Sequence, residues 1–293
     1  MEPIYFKITN EKENHNGFQY RDGLNILLEE FNNNPKASCV AGGFYFTTKK
    51  YIHNFYKYGC YLRVIELPET DPTFKMVKDP SGDKIRSNKI ILKEKYLLSD
   101  PKTYQLFGLE YPKLSHCVKE GYLDIIKILF ETGINIHEYD DIALRVSAEN
   151  GYLNVVQYLV EKGANIHSHH EHALRLSAER GHLDVVRYLV EKGANIHAIN
   201  DYALRLSARN GHLDVVQYLV EKGANIDADN DYALRLSAEN GYSNVMQYLV
   251  KKRANMYAKN DYALRLSAKN GDLEIVQYLI EKGANIRADN DKS

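Results

Sequence analysis

Cysteine is scarce in this chain: Cys39, Cys60 and Cys117 are the three copies in 293 residues. An odd, sparse set with no metal-ligand spacing argues against a disulfide framework and fits reduced thiols in a cytosolic or nuclear compartment. Charge of one sign is missing as well. With 38 Lys and Arg against 39 Asp and Glu, the formal net charge is −1, so no global field draws the chain to nucleic acid or an anionic membrane. There is no run of about 18 apolar residues to span a bilayer. The polar start MEPIYFKITNEKENHN is not expected to act as a secretory signal. Catalytic signatures are missing too: no G-x-S-x-G, no G-x-x-x-x-G-K-[ST], no H-E-x-x-H and no C-x-x-C. Pro80-Ser81-Gly82 reads as a plain turn. No catalytic residue, metal site or cofactor is expected.

What the chain has is repetition. A thirty-residue unit occurs five times from Asp141 to Asn290, opening DIALRVSAENGYLNVVQYLVEKGANIH, EHALRLSAERGHLDVVRYLVEKGANIH, DYALRLSARNGHLDVVQYLVEKGANID, DYALRLSAENGYSNVMQYLVKKRANMY and DYALRLSAKNGDLEIVQYLIEKGANIR. A worn copy precedes them in the same phase, with KLSHCVKEGYLDIIKILFETGINIH inside Tyr111–Asp140. A period in the range of about 20–50 residues marks a solenoid, where each unit buries its apolar face against its neighbours and presents a long surface. The expected division is a domain over 1–110, six units (111–140, 141–170, 171–200, 201–230, 231–260 and 261–290) and a tail over 291–293.

Each unit reads as helix, tight turn, helix, long loop. In the fourth copy Asp201 is expected to be an N-cap whose side chain serves the free amides of the first turn. Ala203, Leu204, Ser207 and Ala208 allow close helix approach. Asn210-Gly211 ends the first helix, Gly211 supplying a left-handed C-cap. Leu213, Val216, Leu219 and Val220 form the apolar stripe of a second helix, which Gly223 closes.

G-H-L-D-V-V-x-Y-L-V-E-K-G-A-N-I resembles the second helix and following loop of the ankyrin repeat, over roughly three-fifths of the chain. The first half of the unit departs from that family. Its consensus has about 33 residues and a T-P-L-H start, whereas here the period is thirty and the matching stretch is Tyr202-Ala203-Leu204-Arg205. The hydrogen bonds of that Thr and His are therefore absent, and the finger between units should be shorter and less clearly a β-hairpin. The resemblance implies a mainly α fold: a helix-turn-helix solenoid preceded by a small α+β domain.

Residues 1–110 show no repeat. Ile4–Ile8, Gly43–Thr47, Tyr61–Leu67 and Lys89–Leu92 read as strands; Thr48–Tyr58 and Lys93–Leu106 read as helical; Asn32–Ala37 and Thr70–Asp83 read as loops. GFQYRDGLNIL, AGGFYFTT, YGCYLRVIELP and NKIIL resemble the amino-terminal domain that precedes the repeats in ankyrin proteins of giant DNA viruses, the mimivirus-like family. Abundant Asn, Lys, Ile and Tyr with no Trp fits an AT-rich genome. The resemblance implies a large paralogous set and no established activity for the domain.

Candidate contact residues come from two patterns. Arg145, Arg175, Arg205, Arg235 and Arg265 occupy one register. They read either as a basic ladder for an acidic partner or as local pairs, such as Asp201 with Arg205 at i,i+4. Variation among otherwise identical copies marks a binding face: Ile142, His172, Tyr202, Tyr232 and Tyr262 after the N-cap; Glu149, Glu179, Arg209, Glu239 and Lys269 near the end of the first helix; His167, His197, Asp227, Tyr257 and Arg287 on the finger. Tyrosine is a typical interface anchor. His167-Ser168-His169-His170-Glu171-His172 is read as surface histidines, because a structural zinc wants four ligands in a tetrahedron. Lys251-Lys252-Arg253 with Lys259 is locally basic, and Arg253 stands where Gly163, Gly193, Gly223 and Gly283 are expected to need φ > 0. Cys117 aligns with Ser147 and Ser177 and reads as core filler.

Two functions of different class follow. One is a non-enzymatic scaffold or adaptor that binds host or viral proteins through the array, in the host-cell cytoplasm or nucleus. The other is an enzyme with catalysis in residues 1–110, where Cys39, His53 and Glu66 could assemble, and substrate selection by the repeats. The expected partner is a protein, with neither membrane nor nucleic acid. The last copy keeps the full stripe Leu273, Ile275, Val276, Leu279 and Ile280 with little polar adaptation, which suggests end-to-end self-association at the carboxyl-terminal repeat.

Overall fold

A computed structural model describes residues 3–285 apart from 16, 39, 139, 253 and 255–257. The chain divides into two compact units, Met1–Thr132 and Gly133–Ser293.

The first unit carries β1 (Tyr5–Thr9), β2 (Asn14–His15), β3 (Phe18–Gln19), β4 (Gly23–Ile26) and β5 (Phe44–Thr48), then a 3-10 helix over Ile52–Tyr58. β6 (Tyr61–Glu66), β7 (Met76–Lys78), β8 (Ile85–Ser87), β9 (Lys89–Leu97) and helix α1 (Pro101–Phe107) follow. Seven strands form one antiparallel sheet in the order β4-β9-β6-β1-β5-β8-β7, and β2 pairs with β3. One core cluster gathers Tyr20, Phe44, Phe46, Ile65, Ile90 and Leu92.

The four expected strands are present, with two departures elsewhere. Lys93–Leu97 extends β9 instead of turning helical, because Tyr96 and Lys95 register against Leu62 and Arg63 of β6. Cross-strand pairing overrides the helix preference of a Lys-Glu-Lys run. The helix begins only after Asp100, whose carboxylate accepts the Lys102 N–H at 2.9 Å, with Pro101 in the first turn. The expected loop Thr70–Asp83 also contains β7, which pairs with β8.

Two buried arginines organise this unit. Arg86 is fully buried and donates to the carbonyls of Asn32 (2.8 Å) and Ala37 (2.6 Å), and also to Asn34 O, which ties down the 32–37 loop. Arg63 pairs with Asp22 and lies 3.5 Å from Glu13. Buried guanidinium groups need such partners.

Helices α2 (Leu114–Glu120) and α3 (Leu123–Glu131) fall within the first unit. Tyr56 donates to Glu110 O at 3.0 Å, and the Tyr104 ring packs on Tyr56 and Tyr111 at 5.7 and 5.1 Å. Cys117 is fully buried, as are Ser147 and Ser177 in the copies that follow, so it fills core as expected. Its Sγ–H donates to Pro112 O, and burial pushes the thiol up to about 12.

The second unit is helical: α4 (Ile142–Glu149), α5 (Leu153–Glu161), α6 (Ser168–Glu179), α7 (Leu183–Glu191) and α8 (Ala198–Arg209). α9 (Leu213–Glu221), α10 (Ala228–Glu239), α11 (Ser243–Lys251), α12 (Ala258–Asn270) and α13 (Leu273–Glu281) complete it. The first helices, α4, α6, α8, α10 and α12, pack in series. Ala203, Leu204, Ser207 and Ala208 are buried at that seam, where small side chains let backbones approach. On the second helix the buried set is Val215, Val216, Tyr218 and Leu219, while Leu213 and Val220 are only half-buried. The stripe is thus shifted from the expected one, since helix side chains cover the turn before their own Cα. In α13, Leu273 is 71% exposed.

Gly211 and Gly223 take φ of +79° and +97°, as their punctuating role requires. Gly211 has a second reason to lack a side chain: a Cβ there would lie 2.4 Å from the Tyr242 ring of the next copy. Among the described residues of 133–285 no strand occurs, so the fingers are not hairpins. Arg253, Tyr257, Arg287 and the tail 291–293 lie outside the described residues.

Candidate functional site

The copies from 141 onward begin with backbone that most side chains avoid. Ile199, Asn200 and Asp201 have φ of +52°, +55° and +54°, and Asp229, Asn230 and Asp231 repeat this at +55°, +56° and +56°. His169, His170 and Glu171 do the same at +49°, +55° and +62°. Asn, Asp and His are the non-glycine residues most at ease in that region. The range Ala198–Arg209 is therefore a left-handed turn leading into a right-handed helix from Tyr202.

This geometry changes the role of the aspartate. Asp201 does not cap its own helix. Its Oδ1 accepts the backbone N–H of Asn225, near the end of the same copy, at 2.9 Å, and meets Nδ1 of His197, on the finger of the preceding copy, at 2.9 Å. Asp141 accepts from Asn165 N at 3.0 Å and Asp261 from Asn285 N at 3.2 Å. The carboxylate staples the start of a copy to the finger at that copy's end. In the third copy Glu171 takes the position and meets His167 Nδ1 at 2.8 Å.

The arginines are redirected as well. The local Asp201–Arg205 pair is not formed. Arg205 donates to Ile199 O at 2.8 Å and pairs with Asp229 at 2.7 Å. Arg235 donates to Asn230 O and Asp229 O at 2.8 and 3.1 Å, and Arg175 to His170 O and His169 O, both at 2.9 Å. A left-handed turn leaves carbonyls outside the helix ladder, and a guanidinium with its fork of donors satisfies them. Asp and Arg thus stand in for the hydrogen bonds that Thr and His supply at the usual family start.

Those guanidinium groups also stack on rings. Arg175 lies 5.6 Å from the Tyr202 ring; Arg205 lies 4.8 Å from Tyr202 and 5.3 Å from Tyr232. Arg235 lies 5.1 Å from Tyr232 and 5.4 Å from Tyr262, and Arg265 lies 5.7 Å from Tyr262. Seven side chains alternate in one ladder along the first helices. Each contact is worth about 0.5–1 kcal/mol where exposed and more when desolvated. Arg205 and Arg235 are only 7% and 6% exposed, so their charge is held inside the stack. Tyr202, Tyr232, Tyr262, Arg145, Arg175, Arg265 and His172 are half-buried, with edges open to solvent.

At the amino-terminal end of the ladder His172 replaces tyrosine. Its Nδ1 lies 3.4 Å from Arg145 Nη1. Burial, then the charges of Arg175 and Arg145, hold its pKa below the ordinary value. The other histidines of that segment have separate partners: His167 meets Glu171, and His169 meets Asp140 at 3.2 Å. Among the described residues no group of three or more His, Cys, Asp or Glu is placed to hold a metal ion.

Differences between copies lie on the open side of this arrangement. His167, His197 and Asp227 are exposed, as are His169, Ile199 and Asp229 in the left-handed turns and Arg209 and Lys269 at helix ends. Turn-end contacts between copies use shared atoms: His182 and His212 Nε2 reach Glu149 O and Glu179 O, both at 2.9 Å, and Asn210 Nδ2 donates to Glu179 O at 2.9 Å. Sequence reasoning missed the staple, the carbonyl clamp and the stack. The recurring Asn-Asp pair at 200–201, 230–231 and 260–261 was the signal for the left-handed turn.

In the first unit, His53 is exposed on the 3-10 helix, and Glu66 is exposed and pairs with Lys93 at 2.7 Å. Cys39 lies outside the described residues. Lys251 and Lys252 are exposed, with Lys252 Nζ 5.7 Å from the Tyr248 ring; the side chain of Lys259 lies outside the described set.

A serial stack of helix pairs with glycine-closed turns, joined copy to copy by the arginine-tyrosine stack and the turn-end hydrogen bonds, defines a helical repeat array of the protein-binding class. The family profile described as ankyrin repeats (three copies) matches residues 95–170, 114–200, 174–260 and 204–290. The chain belongs to the ankyrin-repeat family. It is similar to the ankyrin repeat protein R868 of Acanthamoeba polyphaga mimivirus, 46% identical over 140 residues that cover 46% of this chain and 70% of that one. It is also similar to the uncharacterised protein R869 of the same virus, 46% identical over 132 residues covering 42% and 94%. The ankyrin repeat domain of human ASB11 aligns with a TM-score of 0.53 at 21% identity, over 59% of this chain and 85% of that domain, which is a likeness of fold. Among the described residues no helix is long and apolar enough to cross a membrane.

Proposed function

We infer that the repeat array is a protein-docking surface of a viral adaptor, acting in the cytoplasm or nucleus of the host cell on a host or viral protein. One observation carries this reading: framework residues such as Asp201, Arg205 and Tyr202 are held in staple, clamp and stack, while the differing residues His167, His197, Asp227 and Arg209 sit at exposed finger and helix-end positions. Relatives named as ankyrin repeat proteins of a virus support the setting. Rigid tyrosine edges held between arginines suit an interface, because little conformational entropy is lost on contact.

The test compares capture from amoeba lysate by the full chain and by two variants. One variant carries His167→Ala, His197→Ala, Asp227→Ala and Arg209→Ala; the other carries Gln217→Ala and Glu221→Ala on the second helix. Proteins held by the wild type and the second variant and lost by the first are expected. Equal retention or equal loss in both variants would overturn the assignment of the face.

A further inference from the structure

The seven-stranded sheet is opened at its centre. β1 and β5 share two residue pairs, Tyr5 with Thr48 and Phe6 with Thr47, and beyond Phe6 they part. A cavity of about 460 Å³ lies at the opening, in the size range of small-molecule sites. Phe46, Ile52 and Phe55 give it apolar walls, and the basic side chains that line it are Lys7, His15 and Lys84. Among the described residues no carboxylate lines it.

Lys7 is the unusual member. It sits in the middle of β1, is 7% exposed, and its Nζ donates to Tyr45 O at 2.8 Å, in place of a β1 backbone N–H. The Tyr20 ring lies 4.8 Å away. Among the described residues no carboxylate lies within ion-pairing distance of it. Lys84, by contrast, is 3.8 Å from Asp79. An ammonium has three donors, and a buried one without a counter-charge is costly. That cost shows as a lysine pushed down to about 8 by burial. The neighbouring His15 is held down by burial and then by the Lys7 charge. The cavity therefore has a cationic end at Lys7 and an apolar body along Phe46, Ile52 and Phe55.

We propose that this cavity binds an amphipathic small-molecule acid, its apolar body against Phe46, Ile52 and Phe55 and its carboxylate on the Lys7 ammonium. The ligand supplies the counter-charge that the fold withholds. A neutral molecule of the same shape fills the walls and leaves Lys7 unpaired, so the site discriminates by charge. This inference concerns the first unit and stands whether or not the array docks a protein.

The experiment uses the full chain and two probes, dodecanoate and dodecanol, titrated by calorimetry below their aggregation limits. Dodecanoate is expected to bind at least tenfold more tightly than dodecanol at pH 7. Lys7→Met is expected to remove that preference while dodecanol binding changes by less than twofold. Ala41→Trp, which fills the cavity from its lining, should abolish both. In the wild type, raising the pH from 7 to 10 should weaken dodecanoate at least tenfold and leave dodecanol unchanged, a readout that needs no variant to fold. Equal affinity for the two probes overturns the proposal, as does no binding of either, or undiminished dodecanoate binding by folded Lys7→Met.

Discussion

The carboxylate of Asp201 accepts the backbone N–H of Asn225, 24 residues further along the chain. Through that bond the start of a copy holds the finger at its own end, so each such copy is closed through named atoms as well as through apolar burial. Solenoid stability is a sum of unit and neighbour terms, and this contact is one of the unit terms.

Replacing Asp201 by Ala leaves Asn225 N without its acceptor. A loss of about 1–3 kcal/mol is expected, read from urea unfolding of the full chain. Glu221→Ala, at an exposed second-helix position, should stay within about 0.5 kcal/mol. Equal effects would mean the staple contributes nothing specific.

Arg235→Lys keeps the charge and removes the fork. Lysine cannot reach both Asn230 O and Asp229 O with a planar pair of donors, so a cost of about 1–2 kcal/mol is expected. Tyr232→Phe should be nearly neutral by the same unfolding measurement, since the ring alone makes the ladder contacts. A larger loss from Tyr232→Phe than from Arg235→Lys would contradict the clamp.

Gly211→Ala and Gly271→Ala separate backbone strain from crowding. Both glycines have φ of +79°, but a Cβ at 211 meets the Tyr242 ring at 2.4 Å and one at 271 meets nothing within 4 Å. The change at 271 should cost about 1 kcal/mol. The change at 211 should cost clearly more, and Tyr242→Ala should recover part of the difference. Identical melting shifts for the two variants would show that the ring moves aside freely.

His172 gives the fold an acid sensitivity. Its pKa is lowered in the folded chain, so between the two values the unfolded chain binds the proton that the folded one refuses. Its contribution is complete above the ordinary value of 6.5 and is lost as the pH falls below it. His172→Tyr extends the ladder with the residue found at 202, 232 and 262. The variant should match or exceed wild-type stability at pH 8 and gain further at pH 5.5, since His116 and His15 titrate in both proteins. A stability difference that does not change with pH would remove His172 from this role.

The period of thirty, the helix-turn-helix content of each copy, the glycines at 211 and 223 and the buried Ala-Leu-Ser-Ala seam were all determined by the sequence itself. Each follows from local chemistry: apolar spacing, helix propensity and the freedom of glycine at positive φ. The four main strands of the first unit were legible for the same reason, through their alternation. Only the tertiary structure decided what the repeated polar residues do. Asp201 and Arg205 stand four apart, a spacing that reads as a local ion pair, yet the left-handed turn aims one at the finger 24 residues on and wraps the other around its own carbonyls. The extension of β9 through Leu97 and the burial of Arg63, Arg86 and Lys7 belong to that second category too. Their partners come from strands and loops far along the chain, and no local pattern encodes a contact whose other half is elsewhere.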